Sequence, residues 1–457
     1  MFEPIEAIEE FVRCKSVSTD PTYGEGMEQS RQYVVRLLEG LGLSVETVNT
    51  PLHPIVLGSR TGPSSWPHVI IYGHYDVQPP DPIENWTSPP FEPEVRGNRL
   101  YGRGAVDNKG PLLAHISAVG KLLEKHAELP LKITFLIEGE EEIGSPSFSG
   151  FLQNYKDRLQ ADFVLLSDTA SVSPEQLVIT TGLRGILSLE LKVKGPRVDL
   201  HSGIHGGVVM NPIQAVTEIC ASLHDSDGRI NIPGFYNDVL DASDWEREEL
   251  CSIADNKDDY LKLLGTKAFH TERMIDPFEA IRFRPTIEFN GIGGGYSGEG
   301  TKTVIPSSAF AKISCRLVPN QDPVRIQDLL IGFLREKCSS KVSLEILEGH
   351  CGEPYLVVPP GKGNTPTDQS PILAKAFQAA EQSIQEVTGR KPLYLREGGS
   401  IPIIADLKKV VGLDSIMIGL CLPEDNLHSP NESIHLGIFE NGCAVSEGIL
   451  GRLAGVS

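Results

Sequence analysis

The sequence predicts an α/β protein, with a main domain built on a mixed sheet flanked by helices and a smaller α+β domain inserted into it. Three observations point there. Short, strongly apolar runs at 69–73 (VIIYG), 131–137 (LKITFLI) and 163–166 (FVLL) alternate with stretches of helical periodicity. Runs this apolar belong to strands covered on both faces. After Gly185 the pattern changes to a strict apolar/polar alternation, LSLELKV at 187–193, as in a half-exposed strand. With 457 residues, the chain also exceeds what one hydrophobic core usually organises.

Taken in order, residues 5–14 and 27–42 carry apolar spacing suited to helices, and a helix at 111–126 separates the first two apolar strands. Beyond 187–193 comes a charged helical region at 238–264, then the Gly-rich stretch NGIGGGYSGEG, then a second alternating strand, AFAKISCRLV, at 309–318. Two strands with helices suggest a unit of their own. The α/β character then returns, with a helix at 371–388, a strand DSIMIGL at 414–420 and a last helix at 438–453. The expected division is 1–186 for the first part of the main domain, 187–350 for the insert and 351–457 for the completing part. The chain shows no internal repeat and no low-complexity tract.

Composition narrows the function classes. Apolar residues make up 40% and charged residues 22%, which is the balance of a globular protein. The net charge of −20 argues against nucleic acid and anionic membrane as partners, because binding phosphate needs clustered Lys and Arg. No apolar run approaches the roughly 20 residues of a membrane span. The acidic, amphipathic start MFEPIEAIEEFVRC is unlike a signal peptide. Eight scattered cysteines without a CxxC pair suggest reduced thiols and a cytoplasmic location.

Five metal-ligand candidates stand at the edges of apolar runs: His74, Asp107, Glu142, Asp168 and His428. His74 follows VIIYG, Asp168 follows FVLLS and the Glu cluster follows LKITFLI, so three strands nominate one rim. Ligands of open α/β sheets sit at the carboxyl ends of strands. Two imidazoles and three carboxylates suit a pair of Zn²⁺ or Mn²⁺ ions. Glu141, a spare carboxylate beside a ligand, is what a metal-assisted hydrolase needs as general base. In an extended segment residues two apart share a side, so Asp76 is placed to accept the second N–H of His74 and fix its tautomer. Alone, that HxD pair fits a surface histidine as well.

Asp107 lies among the three glycines of LYGRGAVDNKG, ahead of a helix. A carboxylate there can bridge two cations, and an N-capping aspartate is the competing reading. EGEEEIGS packs four carboxylates into five residues directly after a strand, where bound cations would relieve the repulsion. Asp168 alone reads as a turn former and His428 as a loop histidine; the combination makes the site.

GHYDVQP, GRGAVDNKGP, EGEEEIGS, HSGIHGG, SCRLVPN, REGGSIP and LHSPNE occur in that order. Together they resemble the M20 family of co-catalytic zinc metallopeptidases, and within it the dipeptidase branch of carnosinases and cytosolic nonspecific dipeptidases. The resemblance implies that Asp107 bridges two metals, with His74 and Asp168 on one and Glu142 and His428 on the other. It makes Glu141 the base that activates a metal-bridging water, Asp76 the outer acid behind His74, and Glu140 an extra acid. It also implies a lid domain that forms a homodimer and carries His201 into the partner's site, where it would stabilise the oxyanion.

Arg316 fits a clamp for the substrate's C-terminal carboxylate. Thr303 matches a position near substrate, and Gly399 and Ser400 lie in a loop able to hold that carboxylate. The expected function is hydrolysis of dipeptides with a free C-terminus. A deacylase or desuccinylase of N-acyl amino acids on the same scaffold is the alternative. A catalytically silent scaffold protein is a third reading, against which the intact Glu141 and five ligand positions argue.

Overall fold

The computed structural model describes residues 3–253, 257–363 and 370–456. Among them the apolar runs form the middle of a nine-stranded mixed sheet. Its order is Ser44–Val48, Ile55–Arg60, Lys132–Glu138, His68–His74, Phe163–Leu166, Ser415–Ile418, Val178–Leu183 and Tyr355–Leu356, with Leu393–Arg396 also paired to Val178–Leu183. The four strands Lys132–Glu138, His68–His74, Phe163–Leu166 and Ser415–Ile418 run parallel and side by side. They are buried almost end to end, which is why the sequence there is continuously apolar rather than alternating. Parallel neighbours put all four carboxyl ends on one rim. The flanking pairs are antiparallel, with Ile55–Arg60 on one side and Val178–Leu183 on the other.

Helices flank this sheet. Gly110–Lys125 is buried from Gly110 through Gly120 and packs against Pro4–Arg13 and Leu436–Ala454, and the last of these also meets Pro371–Thr388. The N-terminal and C-terminal segments therefore share one core, which holds residues from Ala7 to Leu183 and from Tyr355 to Ala454.

The second sheet is antiparallel throughout, in the order Thr286–Gly294, Ser308–Leu317, Gly185–Lys194, Ser343–Gly352. Leu187, Leu189, Leu191 and Val193, the apolar half of the alternation, bury against the helices Pro212–Ser222 and Pro323–Lys337 in a separate core. These two cores support the domain division near 186 and 350, which we propose for this chain. Residues 1–2, 364–369 and 457 of the proposed main domain lie outside the described residues.

Several elements depart from the expectation. Among the described residues the insert's larger sheet has four strands rather than two, a two-stranded ladder of Leu200–His201 and Val304–Ile305 lies beside it in sequence, and the stretch NGIGG forms the end of Thr286–Gly294, where the ladder is irregular between Phe289 and Gly291. Glycines in place of β-branched residues hid that strand. The charged region expected as helix at 238–264 contains Asp244–Cys251 and Lys257–Leu264, with 254–256 outside the described residues. Among the described residues, none of its buried apolar side chains joins the core of the second sheet. Ala242, Leu250 and Ile253 join Phe278 and Phe283 against Val178 and Leu395 of the large sheet.

The chain crosses between sheets twice, at Arg184–Gly185 and at Glu353–Pro354, and the two crossings touch. A Cβ on Gly185 would stand 2.7 Å from the Gly352 carbonyl oxygen and 2.8 Å from the Pro354 ring. Close approach of backbone is therefore the reason for glycine there. Gly185→Val is expected to destabilise the protein by about 1–3 kcal/mol, the usual consequence of overpacking. Chemical unfolding would measure this, and an unchanged midpoint would refute the steric account.

Candidate metal centre

His74 is the last residue of its strand, and Glu141 and Glu142 form a short turn just past Glu138. Asp168 stands two residues beyond Leu166, and His428 lies on the loop that follows Ser415–Ile418. Asp107 enters from the turn Ala105–Lys109 that opens the Gly110–Lys125 helix. The rim of four parallel strands thus gathers all five ligand candidates.

They form two overlapping groups. Ligand atoms of His74, Asp107 and Asp168 lie within 4.8 Å of one another, and so do those of Asp107, Glu142 and His428. Asp107 belongs to both. Its Oδ1 is 3.2 Å from His74 Nε2, and its Oδ2 is 2.9 Å from His428 Nε2. Asp168 stands 3.9 Å from His74 Nε2, and Glu142 stands 3.4 Å from His428 Nε2.

The donor set fits divalent cations. His74 Nδ1 donates to the Asp76 backbone carbonyl at 3.1 Å, so Nε2 carries the lone pair. That Nε2 is buried and has no hydrogen-bond partner. Burial pushes the carboxyls of Glu141 and Glu142 well above the usual range, and Asp168 up to about 7 with the Asp107 charge adding to it. For Asp107 burial acts the same way, but the neighbouring His428 and His74 imidazoles outweigh it and hold the carboxyl low. A cluster of this kind accepts cations readily, because they remove the repulsion that keeps its acids protonated.

Asp76 differs in detail from the expectation. Its backbone carbonyl takes the His74 N–H, while its carboxylate Oδ1 lies at 3.4 Å and its Oδ2 accepts the Glu142 N–H at 3.1 Å. The four acids of the Glu cluster also separate in role. Glu138 accepts from the Tyr72 hydroxyl at 2.9 Å, and burial pushes its carboxyl up to about 8. Glu140 accepts from Thr50 and the His53 N–H at 2.8 Å and from the Ser147 N–H at 3.0 Å. Glu142 belongs to the ligand groups, and the Glu141 carboxyl stands in the field of His74, Asp168 and Asp107.

Several supporting residues escaped the sequence reading. Gln78 donates to Glu142 Oε2 at 2.8 Å, and Asn108 donates to Asp168 Oδ1 at 3.0 Å and to the Ser167 carbonyl at 2.7 Å. Glu432 is wholly buried and accepts from Arg103 at 2.5 Å and from the N–H groups of Gly104, Val106 and Asp107 at 3.0, 3.1 and 3.2 Å. It fixes the turn that presents Asp107. Gly104 sits there at φ +84°, a backbone conformation that glycine alone adopts freely. His428 itself holds φ +58°. Strain of that kind in a residue with a Cβ persists only where the surroundings impose it.

The remaining candidates form two further pairs. Arg316 donates to Ser400 Oγ at 2.8 Å, and the Gly399 carbonyl accepts from the Arg184 N–H at 3.0 Å. Glu397 of the same loop accepts from the Ala170 N–H at 3.4 Å, which ties the loop to the segment just after Asp168. His201 pairs with Val304 in a two-stranded ladder, and the Thr303 carbonyl accepts from the Ser202 N–H. His201 Nδ1 accepts from the Gly203 N–H at 3.0 Å, which leaves the exposed Nε2 as the donor.

Comparison with known proteins places this site in context. Residues 70–452 match the model of peptidase family M20/M25/M40. The chain is 31% identical to the Cys-Gly metallodipeptidase DUG1 of Candida albicans, over 98% of this chain and 93% of that protein. The human carnosine dipeptidase 1 structure has a TM-score of 0.83 at 28% identity, covering 99% of this chain and 96% of that one. The M20 family metallo-carboxypeptidase Sso-CP2 of Sulfolobus solfataricus has a TM-score of 0.86 at 31% identity, covering 99% of this chain and all of that one.

Because Glu432 orients the Asp107 turn through its backbone N–H groups and is not itself among the ligand candidates, Glu432→Gln is expected to weaken metal affinity about 10–100-fold. Metal content after equilibration with buffered Zn²⁺ measures this, and full occupancy at wild-type affinity would refute it.

Proposed function

This chain belongs to peptidase family M20/M25/M40 and is a metal-dependent hydrolase, and from that premise we propose that it cleaves the peptide bond of dipeptides with a free C-terminal carboxylate. The observation that carries the reading is the double ligand cluster sharing Asp107, with Glu141 beside it and the Arg316–Ser400 pair nearby. Two divalent cations, Zn²⁺ or Mn²⁺, held by His74 and Asp168 on one side and Glu142 and His428 on the other, would supply Lewis acidity to water and to the scissile carbonyl.

The chain's own residues do the rest. Glu141 accepts the proton of the attacking water on a carboxylate oxygen and passes it to the leaving amine nitrogen. A buried carboxylate held among like charges is suited to that exchange. Arg316 and Ser400, with the backbone at Gly399, take the substrate's C-terminal carboxylate in a two-pronged contact. Asp76 keeps His74 in the tautomer that ligates.

We assign His201 to the oxyanion, acting in the site of a partner subunit, with Thr303 beside it. Its Nε2–H is available, and its ring accepts only from the Gly203 N–H two residues on. A homodimer through that domain is supported by Phe289, Ile292 and Leu347, which are exposed on the outer strands at 42%, 58% and 50%. The cytoplasmic assignment rests on the eight unpaired thiols, which suit a reducing compartment. Among the described residues, no helix is long and apolar enough to cross a membrane.

The test is a panel of dipeptides, longer peptides and N-acetyl or N-succinyl amino acids, assayed after chelation and after reloading with Zn²⁺ or Mn²⁺. Metal-dependent cleavage of dipeptides is expected. Cleavage of the acyl amino acids alone would move the activity to a deacylase, and cleavage of longer peptides from the C-terminus would make it a carboxypeptidase.

Glu141→Gln is expected to retain both metals and lose about 10²–10⁴-fold in turnover. Loss of metal in that variant would exchange the roles of Glu141 and Glu142. His201→Ala is expected to lose about 10²–10³-fold in kcat at unchanged metal content. Mixing the two inactive variants should restore activity, since one site of each mixed dimer combines an intact Glu141 with the partner's histidine. No recovery after subunit exchange would rule out action across the interface.

A further inference from the structure

Beside the ligand residues lies a cavity of about 560 Å³, within the range of about 300–1,000 Å³ usual for small-ligand sites. Ala170, two residues past Asp168, and Glu424, on the loop that leads to His428, both line it. Most of the remaining wall is apolar: Val178 and Leu395 of the large sheet, Tyr260 and Phe278 of the segment packed on that sheet, and Val172. These five belong to the small core that joins residues 242–283 to the sheet, so the cavity is a gap in that junction.

The charged groups of the cavity answer one another. Arg396 pairs with Glu246 at 2.7 Å, Asp259 with Lys262 at 2.8 Å and Glu424 with Arg99 at 3.7 Å. Glu397 accepts from the N–H groups of Gly398 and Ala170 at 2.9 and 3.4 Å. Arg282 donates from Nη1 to the Phe278 carbonyl at 3.1 Å, and while burial pushes its guanidinium down, the charge of Glu397 opposes that shift. Its buried Nε has no hydrogen-bond partner, and a neutral acceptor satisfies that one donor. No ionic ligand is called for, which leaves the apolar surface to select an occupant. Part of that surface meets water, since Val172, Tyr260 and Ile281 are only partly buried and Leu263 is 51% exposed. Withdrawing it from water favours a hydrocarbon or aromatic group.

The clamp proposed for the C-terminal carboxylate decides which half of a dipeptide comes here. Arg316, Gly399 and Ser400 do not line the cavity, whereas chain neighbours of the ligand residues do. With the carboxylate at Arg316 and Ser400 and the scissile carbonyl at the ligand cluster, the C-terminal residue occupies the stretch between them. The N-terminal residue lies past the cluster, on the side of Ala170 and Glu424.

We propose that this cavity receives the side chain of the substrate's N-terminal residue, so that the chain prefers dipeptides beginning with a large apolar residue such as Leu or Phe. The inference rests on the dipeptide reading above and narrows its substrate class.

The experiment compares kcat/KM for Leu-Ala, Phe-Ala, Lys-Ala and Glu-Ala with that for Ala-Ala, and includes Ala-Leu as the reversed control, using the metal-loaded full chain. Leu-Ala or Phe-Ala is expected to exceed Ala-Ala, Lys-Ala and Glu-Ala by at least about tenfold, the low end of what added methylenes give in an apolar pocket. Ala-Leu should gain less. Val172→Phe, which fills the cavity from its wall, should bring the ratio of Leu-Ala to Ala-Ala towards one. An unchanged ratio in that variant would overturn the assignment. So would a wild-type ratio near one, a higher value for Lys-Ala or Glu-Ala, or an equal gain for Ala-Leu, whether or not the variant folds. If no dipeptide is cleaved, the dipeptidase reading fails separately. Calorimetric titration of Leu-Ala and Ala-Ala then decides: tighter binding of Leu-Ala keeps the cavity, and equal affinities remove it.

Discussion

The rim of the large sheet is governed by carboxylates brought out of water to face one another. Asp107, Glu142 and Asp168 converge with Glu141 behind them, and the basic side chains that could neutralise them are committed elsewhere. Arg103 is bound to Glu432. Lys109, two residues from Asp107, turns away and donates to the carbonyls of Phe11 and Cys14 at 2.9 and 2.7 Å. Among the described residues only the imidazoles of His74 and His428 pair with the three ligand acids. Replacing those partners with arginine or lysine would stabilise the empty fold and fill the place of a cation. Stability of the unliganded chain is here subordinate to a site that requires ions.

The supporting residues follow from that constraint. Each ligand needs a fixed orientation, yet an added positive charge would compete with the metals. Orientation is therefore supplied by neutral donors: the Gln78 amide for Glu142, the Asn108 amide for Asp168, and backbone N–H groups around Glu432 for the Asp107 turn. The one nearby guanidinium, Arg103, is neutralised locally by Glu432. Outer contacts of this type set both geometry and basicity of the ligands.

Much of the main domain was legible because its signals are local. Continuous apolar runs at 69–73, 131–137 and 163–166 mark buried parallel strands, and the helix boundaries observed at Gly110–Lys125 and Pro371–Thr388 lie within about a residue of those expected from periodicity. The ligand candidates, which the fold gathers into two groups, were legible from strand ends together with motif resemblance. What escaped depends on partners distant in sequence. Glu432 reads as one more loop acid until the fold sets it under Gly104. Gln78 was within reach, since the period-two argument that selects Asp76 from His74 extends one step further to it. The edge strands Ser44–Val48 and Ile55–Arg60 and the Gly-rich end of Thr286–Gly294 lack the apolar continuity that marks the centre. The packing of 242–283 on the large sheet is a tertiary choice that no window of sequence records.

The order of the chain separates two properties that the site must combine. None of the five ligand candidates lies on the second sheet, although the chain must traverse that sheet before His428 and Glu432 can join the rim. Metal binding therefore reports completion of the main domain, since both of its halves contribute to the same cluster. The loop at 397–400 is held differently, by Arg316 from the second sheet, by Arg184 from the crossing and by Glu397 from its own segment. A shift of the second sheet would change the Arg316–Ser400 contact and leave the ligand geometry intact. On the proposed reading of Arg316 and Ser400 as the carboxylate clamp, substitutions around that loop would alter which peptide is held and leave the ligand cluster unchanged. Relatives of similar fold bear names as different as Cys-Gly metallodipeptidase and metallo-carboxypeptidase, as expected where one fold hosts several sites.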